Sequence, residues 1–128
     1  MDDRARDILR RAGYEVGPEP TLKAMWRVEP LVCARDAIVS AIARIEDGKP
    51  EWAKERLDVA ISWIRAAKER LPETSEDVDE FISAMEEIKL EVDADPELAK
   101  EDMGILSDDI KRFFLEKFAE LVVRGSGG

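Results

Sequence analysis

Carboxylates are the most abundant groups in this chain that could do chemistry, and two stretches concentrate them. In DADPELAKEDMG, residues 93–104, Asp93, Asp95, Glu97, Glu101 and Asp102 lie close together. Acids at the first, third and fifth positions are what a calcium loop supplies, since Ca²⁺ gathers oxygen ligands from a short turning backbone. Here, however, Leu98 stands where such a loop turns on glycine, and Gly104 where it closes on a bidentate glutamate. Asp95-Pro96-Glu97 accounts for the same letters as a helix start, with acids at the positive end of the helix dipole. The second concentration runs through Glu76, Asp77, Glu80, Glu86, Glu87 and Glu91. It reads as a solvated acidic face, in which Glu76, Asp77, Glu80, Glu87 and Glu91 would steer a basic protein partner.

Those glutamates also invite comparison with the all-helical nucleotide pyrophosphohydrolases, which hold magnesium between carboxylates of two helices. The resemblance implies metal-dependent nucleotide hydrolysis as the alternative activity. The neighbouring helix offers only Glu51, Glu55, Asp58 and Glu69, separated by polar positions, and the paired-acid spacing of that family is not matched. Histidine is absent, which removes the commonest general base and transition-metal ligand. The expectation is therefore no catalytic residue, no bound metal and no cofactor. Cys33 is the single cysteine, with nothing beside it in sequence to activate a thiol, and reads as a small buried hydrophobe.

Net charge is −10, unevenly spread: Glu73 to Asp109 holds 15 acids and only two bases, Lys89 and Lys100. Such a field repels phosphates, so direct nucleic-acid binding and an anionic membrane surface are both disfavoured. An acidic inhibitor that mimics nucleic acid stays open, although −10 is modest for that role. The other candidate surface is apolar. Met25, Trp26, Val28 and Trp63 are the side chains to consider as a protein interface, because Trp and Met dominate binding hot spots when exposed. Against that, Trp63 reads as core under the first helix, and Trp26 could equally cover one end of the core.

With 45% hydrophobic and 39% charged residues over 128 positions, the chain is globular rather than disordered and long enough for one core. No apolar run approaches the length of a membrane span, and MDDRARDILRR is charged where a signal peptide needs an apolar stretch. One cysteine excludes an internal disulfide framework and fits a reducing, cytoplasmic setting. A short amphipathic helix is expected at 2–12, ended by Gly13. YEVGPEP, 14–20, reads as a non-helical connector, followed by a short helix from an N-cap at Thr21 and a break at Pro30. Longer helices follow at 30–46 and 50–71, joined by a tight turn at Gly48. A further helix runs from Thr74 or Ser75 to about Val92, a short one from Pro96 to about Glu101, then a break at Met103-Gly104. Ser107 caps the last helix, 108–123, and 125–128 reads as a flexible tail, a remnant of cloning.

The 50–71 helix is the centre of this scheme. Ala53, Leu57, Ala60, Ile61, Ile64, Ala67 and Leu71 make one apolar stripe and Trp52, Val59, Trp63 and Ala66 a second, so neighbours are expected on more than one flank. Ala34, Ala41, Ala53 and Ala60 would let it approach the 30–46 helix closely. Ala41, Gly48, Ala53, Leu57 and Ala60 also sit at the spacing of a single tetratricopeptide repeat. Arg44 stands at that family's tyrosine position, the closing proline is missing, and no second copy follows at a period near 34, so a generic hairpin explains the residues. The fold class predicted is all-α: one domain over 1–124, a bundle or array of about five helices around an antiparallel 30–46/50–71 hairpin. The function predicted is a non-enzymatic protein-interaction module, natural or engineered, with a homodimer left open.

Overall fold

A computed structural model describes the backbone of residues 18–127 and the side chains of 21–124; the expected helix at 2–12 lies outside these residues. Among the described residues the chain is all-helical: α1 Pro18–Glu46, α2 Pro50–Arg70, a 3₁₀ turn Pro72–Thr74, α3 Ser75–Ala94 and α4 Pro96–Gly127. Each helix packs on the next, and α4 returns to α1, so the four form a bundle. The directions can be read from contacts. Arg27 near the start of α1 meets Arg70 at the end of α2. Lys54, Asp58 and Lys68 of α2 pair with Asp93, Lys89 and Asp79 of α3 in descending order. Phe81 packs edge-on against Phe113 at 5.4 Å across α3 and α4. Neighbouring helices therefore run antiparallel.

Among the described residues there are four helices, fewer segments than the sequence suggested over that range, because three local break signals do not break. Pro18 and Pro20 occupy the first turn of α1, where the missing N–H would have no intrahelical partner anyway. The predicted connector over 14–20 is thus helical from Pro18, and Thr21 is a buried residue of the first turns rather than a cap. Pro30 lies inside α1, which continues through it. The carbonyl orphaned by Pro30 belongs to Trp26, four residues earlier, and Nη1 of Arg70 donates to it at 2.6 Å. Gly104 lies inside α4. A mid-helix glycine costs about 1 kcal/mol, but continuity buries Met103 and Leu106, each stabilising by about 1.5–3 kcal/mol. Ser107, expected as a cap, is buried mid-helix and its hydroxyl donates to the Gly104 carbonyl at 3.0 Å. Helix α4 also runs through Gly127, across the predicted tail.

Other signals act as read. Gly48 takes φ +74° and closes α1, with Lys49 N–H donating to Arg44 O at 2.9 Å. Pro50 opens α2. Asp95 caps α4, its Oδ1 accepting from Leu98 N–H at 3.2 Å. Thr74 sits at the N-cap of α3 without capping it; its hydroxyl donates to Leu71 O at 2.7 Å instead.

The core draws on all four helices, with Leu31, Ile38, Leu57, Ile64, Met85, Ile110 and Phe118 fully enclosed. Ala34, Ala41, Ala53 and Ala60 are buried completely between α1 and α2. One expectation about α2 fails. It is covered on the Ala53–Leu57–Ala60–Ile64–Ala67 stripe only, whereas Trp52, Val59 and Trp63 are 52%, 40% and 36% exposed. The second apolar stripe marked an open face, not a second wall of neighbours.

Gly104 is helical with nothing within 4 Å of an added Cβ, while Gly48 holds a positive φ. Gly104→Ala should raise unfolding stability by about 0.5–1 kcal/mol and Gly48→Ala lower it by about 1 kcal/mol in denaturant titrations. A loss of stability in Gly104→Ala would mean that α4 is broken there.

Candidate functional site

Spacing places Trp52, Arg56, Val59, Trp63, Ala66 and Arg70 on one flank of α2, because steps of three and four residues return to the same side of a helix. Arg70 then ties α1 into this flank. Its guanidinium carbon lies 4.4 Å from the centre of the Trp26 ring, and Trp26 is 57% exposed. Lys49 similarly covers the Trp52 ring at 4.3 Å. All three tryptophans of the chain therefore open on one surface, two of them carrying a cation on the ring face.

This surface corrects the sequence-derived patch. Of Met25, Trp26 and Val28, only Trp26 is exposed: Val28 is fully buried and Met25 half-buried against the core. Trp63, read as core, belongs with Trp26 and Trp52 instead. The signal that could have revealed this is the company the second stripe keeps on the helical wheel, since Glu55, Arg56, Ser62 and Glu69 flank it. Cys33 is half-buried nearby. Burial, then Glu29 and Asp36, raise its thiol pKa against the opposing effect of Arg70, so the thiol is not activated.

Arg27 completes the α1–α2 junction. Its Nε donates to the Arg70 carbonyl at 2.9 Å, satisfying a C-terminal orphan of α2, and its Nη2 pairs with Glu73 at 2.6 Å. Burial alone would raise the Glu73 carboxyl; its own backbone N–H and the Arg27 guanidinium reverse this and hold it below the ordinary value.

The acids of 93–104 are dispersed rather than gathered. Asp93 pairs with Lys54, Asp95 caps α4, and Asp102 turns toward α3. Asp95, Glu97 and Glu101 nevertheless border one shallow hollow of about 610 Å³ together with Ile42, Glu46, Leu98 and Lys100. Among the described residues no group of three or more Cys, Asp or Glu side chains converges closely enough to hold a metal ion. On α3, Glu76, Asp77, Glu80 and Glu87 are exposed as expected, but Glu91 is half-buried. Its carboxyl lies against that of Asp102, and this contact, then burial, then the charges of Asp102, Glu87 and Asp95 raise its pKa. The two residues border a groove of about 220 Å³ between α3 and α4, floored by Ala84, Ile88, Ile105 and Leu106 and edged also by Glu87 and Asp109.

No helix among the described residues is long and apolar enough to cross a membrane. Comparison of the chain with protein-family models, with curated proteins and with solved structures gave no match.

A carboxyl whose pKa is raised on folding stabilises the fold below its unfolded pKa and loses that contribution as pH rises through the folded value. Glu91→Gln should therefore gain melting temperature over the unmodified protein as pH is raised from about 4 to about 7. A difference that stays constant across that range would contradict the carboxyl–carboxyl contact.

Proposed function

We propose that this chain is a non-enzymatic protein-interaction module whose docking face is the tryptophan surface of α1 and α2. The observation that carries the proposal is the exposure of Trp26, Trp52 and Trp63 together on one side of a bundle whose core is already complete without them. Burying a tryptophan is worth several times a typical surface contact, so three left open on one side favour a partner that covers them. Arg56, Arg70 and Lys49 stand among the rings, so the complementary surface carries apolar pockets rimmed by carboxylates. Association of this kind rests mainly on apolar burial and survives added salt, unlike binding through exposed charges.

Immobilised protein should retain a partner from cell extract at both about 0.15 M and about 0.5 M salt. Trp52→Ala and Trp63→Ala should each weaken retention by about 2 kcal/mol or more, roughly thirtyfold. Retention unchanged in both variants, or lost on raising salt alone, would sink this reading. Metal-dependent nucleotide hydrolysis predicts instead a rise in melting temperature with millimolar-scale magnesium or manganese.

A further inference from the structure

Charge is handled differently at two seams of the bundle. Across α2 and α3, Lys54–Asp93, Asp58–Lys89 and Lys68–Asp79 pair acid with base at 2.6–2.9 Å. Across α3 and α4 no ion pair forms among the described residues, and carboxylates meet instead. Glu91 faces Asp102, and Oε2 of Glu91 is enclosed without a hydrogen-bond partner. Glu87 stands on the same edge with no base beside it. Asp109 pairs with Arg112 of its own helix.

The groove between these helices has a repeating floor. With Glu91 opposite Asp102, the antiparallel register sets Ile88 opposite Ile105 one turn on and Ala84 opposite Asp109 a turn further, while Glu87 edges the groove beside Ile88. Ile105 is 56% exposed although it borders the groove, so an open apolar shelf lies beside the Glu91–Asp102 rung.

We propose that the α3–α4 groove is a docking site for a cationic amphipathic helix. One Arg or Lys of that helix sits between Glu91 and Asp102, an apolar side chain one turn along rests on Ile88 and Ile105 with Glu87 at its edge, and a second cation a further turn along meets Asp109. The occupant is argued from charge complementarity. The groove offers apolar floor and unpaired carboxylate where the adjoining seam has already neutralised its acids, and the stretch that contains it is the acidic part of the chain. A cation entering between Glu91 and Asp102 favours the ionised Glu91 carboxylate and opposes the upward shift of its pKa, so binding is linked to the titration of Glu91. Glu87 and Asp95 on the α3 side and Asp102 and Asp109 on the α4 side all add to that field, with Arg112 as the opposing charge.

The test uses a short fluorescein-labelled helix with Arg, Leu and Arg spaced one turn apart, and a control with Glu in place of Arg. Anisotropy titration should give a dissociation constant in about the micromolar range for the first and none for the control. Glu91→Gln with Asp102→Asn should weaken binding at least about tenfold, whereas Glu76→Gln with Glu80→Gln, on the outer face of α3, should change it less than about twofold. Affinity should rise as pH is raised from the ordinary carboxylate range upward, and this rise should vanish in the groove variant. Trp52→Ala should bind the peptide normally, which separates this site from the tryptophan face. No binding at about 100 µM, or equal losses in both pairs of variants, would overturn the proposal. So would a dimer of the chain, seen in sedimentation, that the groove variant dissolves, since the occupant would then be a second copy.

Discussion

The contact between the Arg70 guanidinium and the Trp26 carbonyl holds the architecture together where the chain is locally weakest. Pro30 removes the N–H that would have met that carbonyl inside α1, and the exposed carbonyl takes a charged donor in its place. Arg70 supplies the missing donor from the far end of α2. In return, Arg27 of α1 caps the Arg70 carbonyl, one of the orphans that every helix leaves at its C-terminus. Each helix thus completes the other's backbone. The exchange fixes the two ends of a long antiparallel pair whose opposite end is closed by the turn at Gly48. Because the same guanidinium covers the Trp26 ring, the bond that lets α1 continue also sets a tryptophan on the surface.

From that junction the two sides of the bundle diverge. The α1–α2 side is closely packed inside, on Ala34, Ala41, Ala53 and Ala60, and open outside, where tryptophan and arginine alternate. The α3–α4 side carries the acids. Its Lys–Asp pairs to α2 are exposed, and such pairs are worth only about 0–1 kcal/mol each, so they set the register of α3 more than they stabilise it. The facing carboxylates of Glu91 and Asp102 work against the fold. The conflict is local, inside a bundle otherwise consistent in packing and charge pairing.

Much of the fold was legible in the sequence because its signals are local. Gly48, Pro50, Leu71-Pro72 and Asp95-Pro96 mark helix ends through the conformations they prefer. The run Val78, Met85, Ile88, Val92 reports the buried face of α3 through its spacing. What misled were signals whose outcome is decided far along the chain. Pro30 reads as a break until a donor 40 residues away is known to satisfy Trp26. Gly104 reads as a break until Met103 and Leu106 are seen to share one buried stripe. Periodicity reports that Trp52, Val59 and Trp63 share a side, and is silent on whether anything covers it. Glu91 looked like one more solvated acid because only the antiparallel register of α3 and α4 brings it to Asp102.

The measurement closest to the centre of this account is a double-mutant cycle on Pro30 and Arg70, read as unfolding free energy in denaturant. Alanine at position 30 restores the N–H that the Trp26 carbonyl lacks, so Arg70→Ala should cost clearly less in the Pro30→Ala background, with a coupling of about 1 kcal/mol. Strictly additive losses, with Arg70→Ala costing the same in both backgrounds, would mean that Arg70 does not stand in for the missing donor and that α1 passes Pro30 for some other reason.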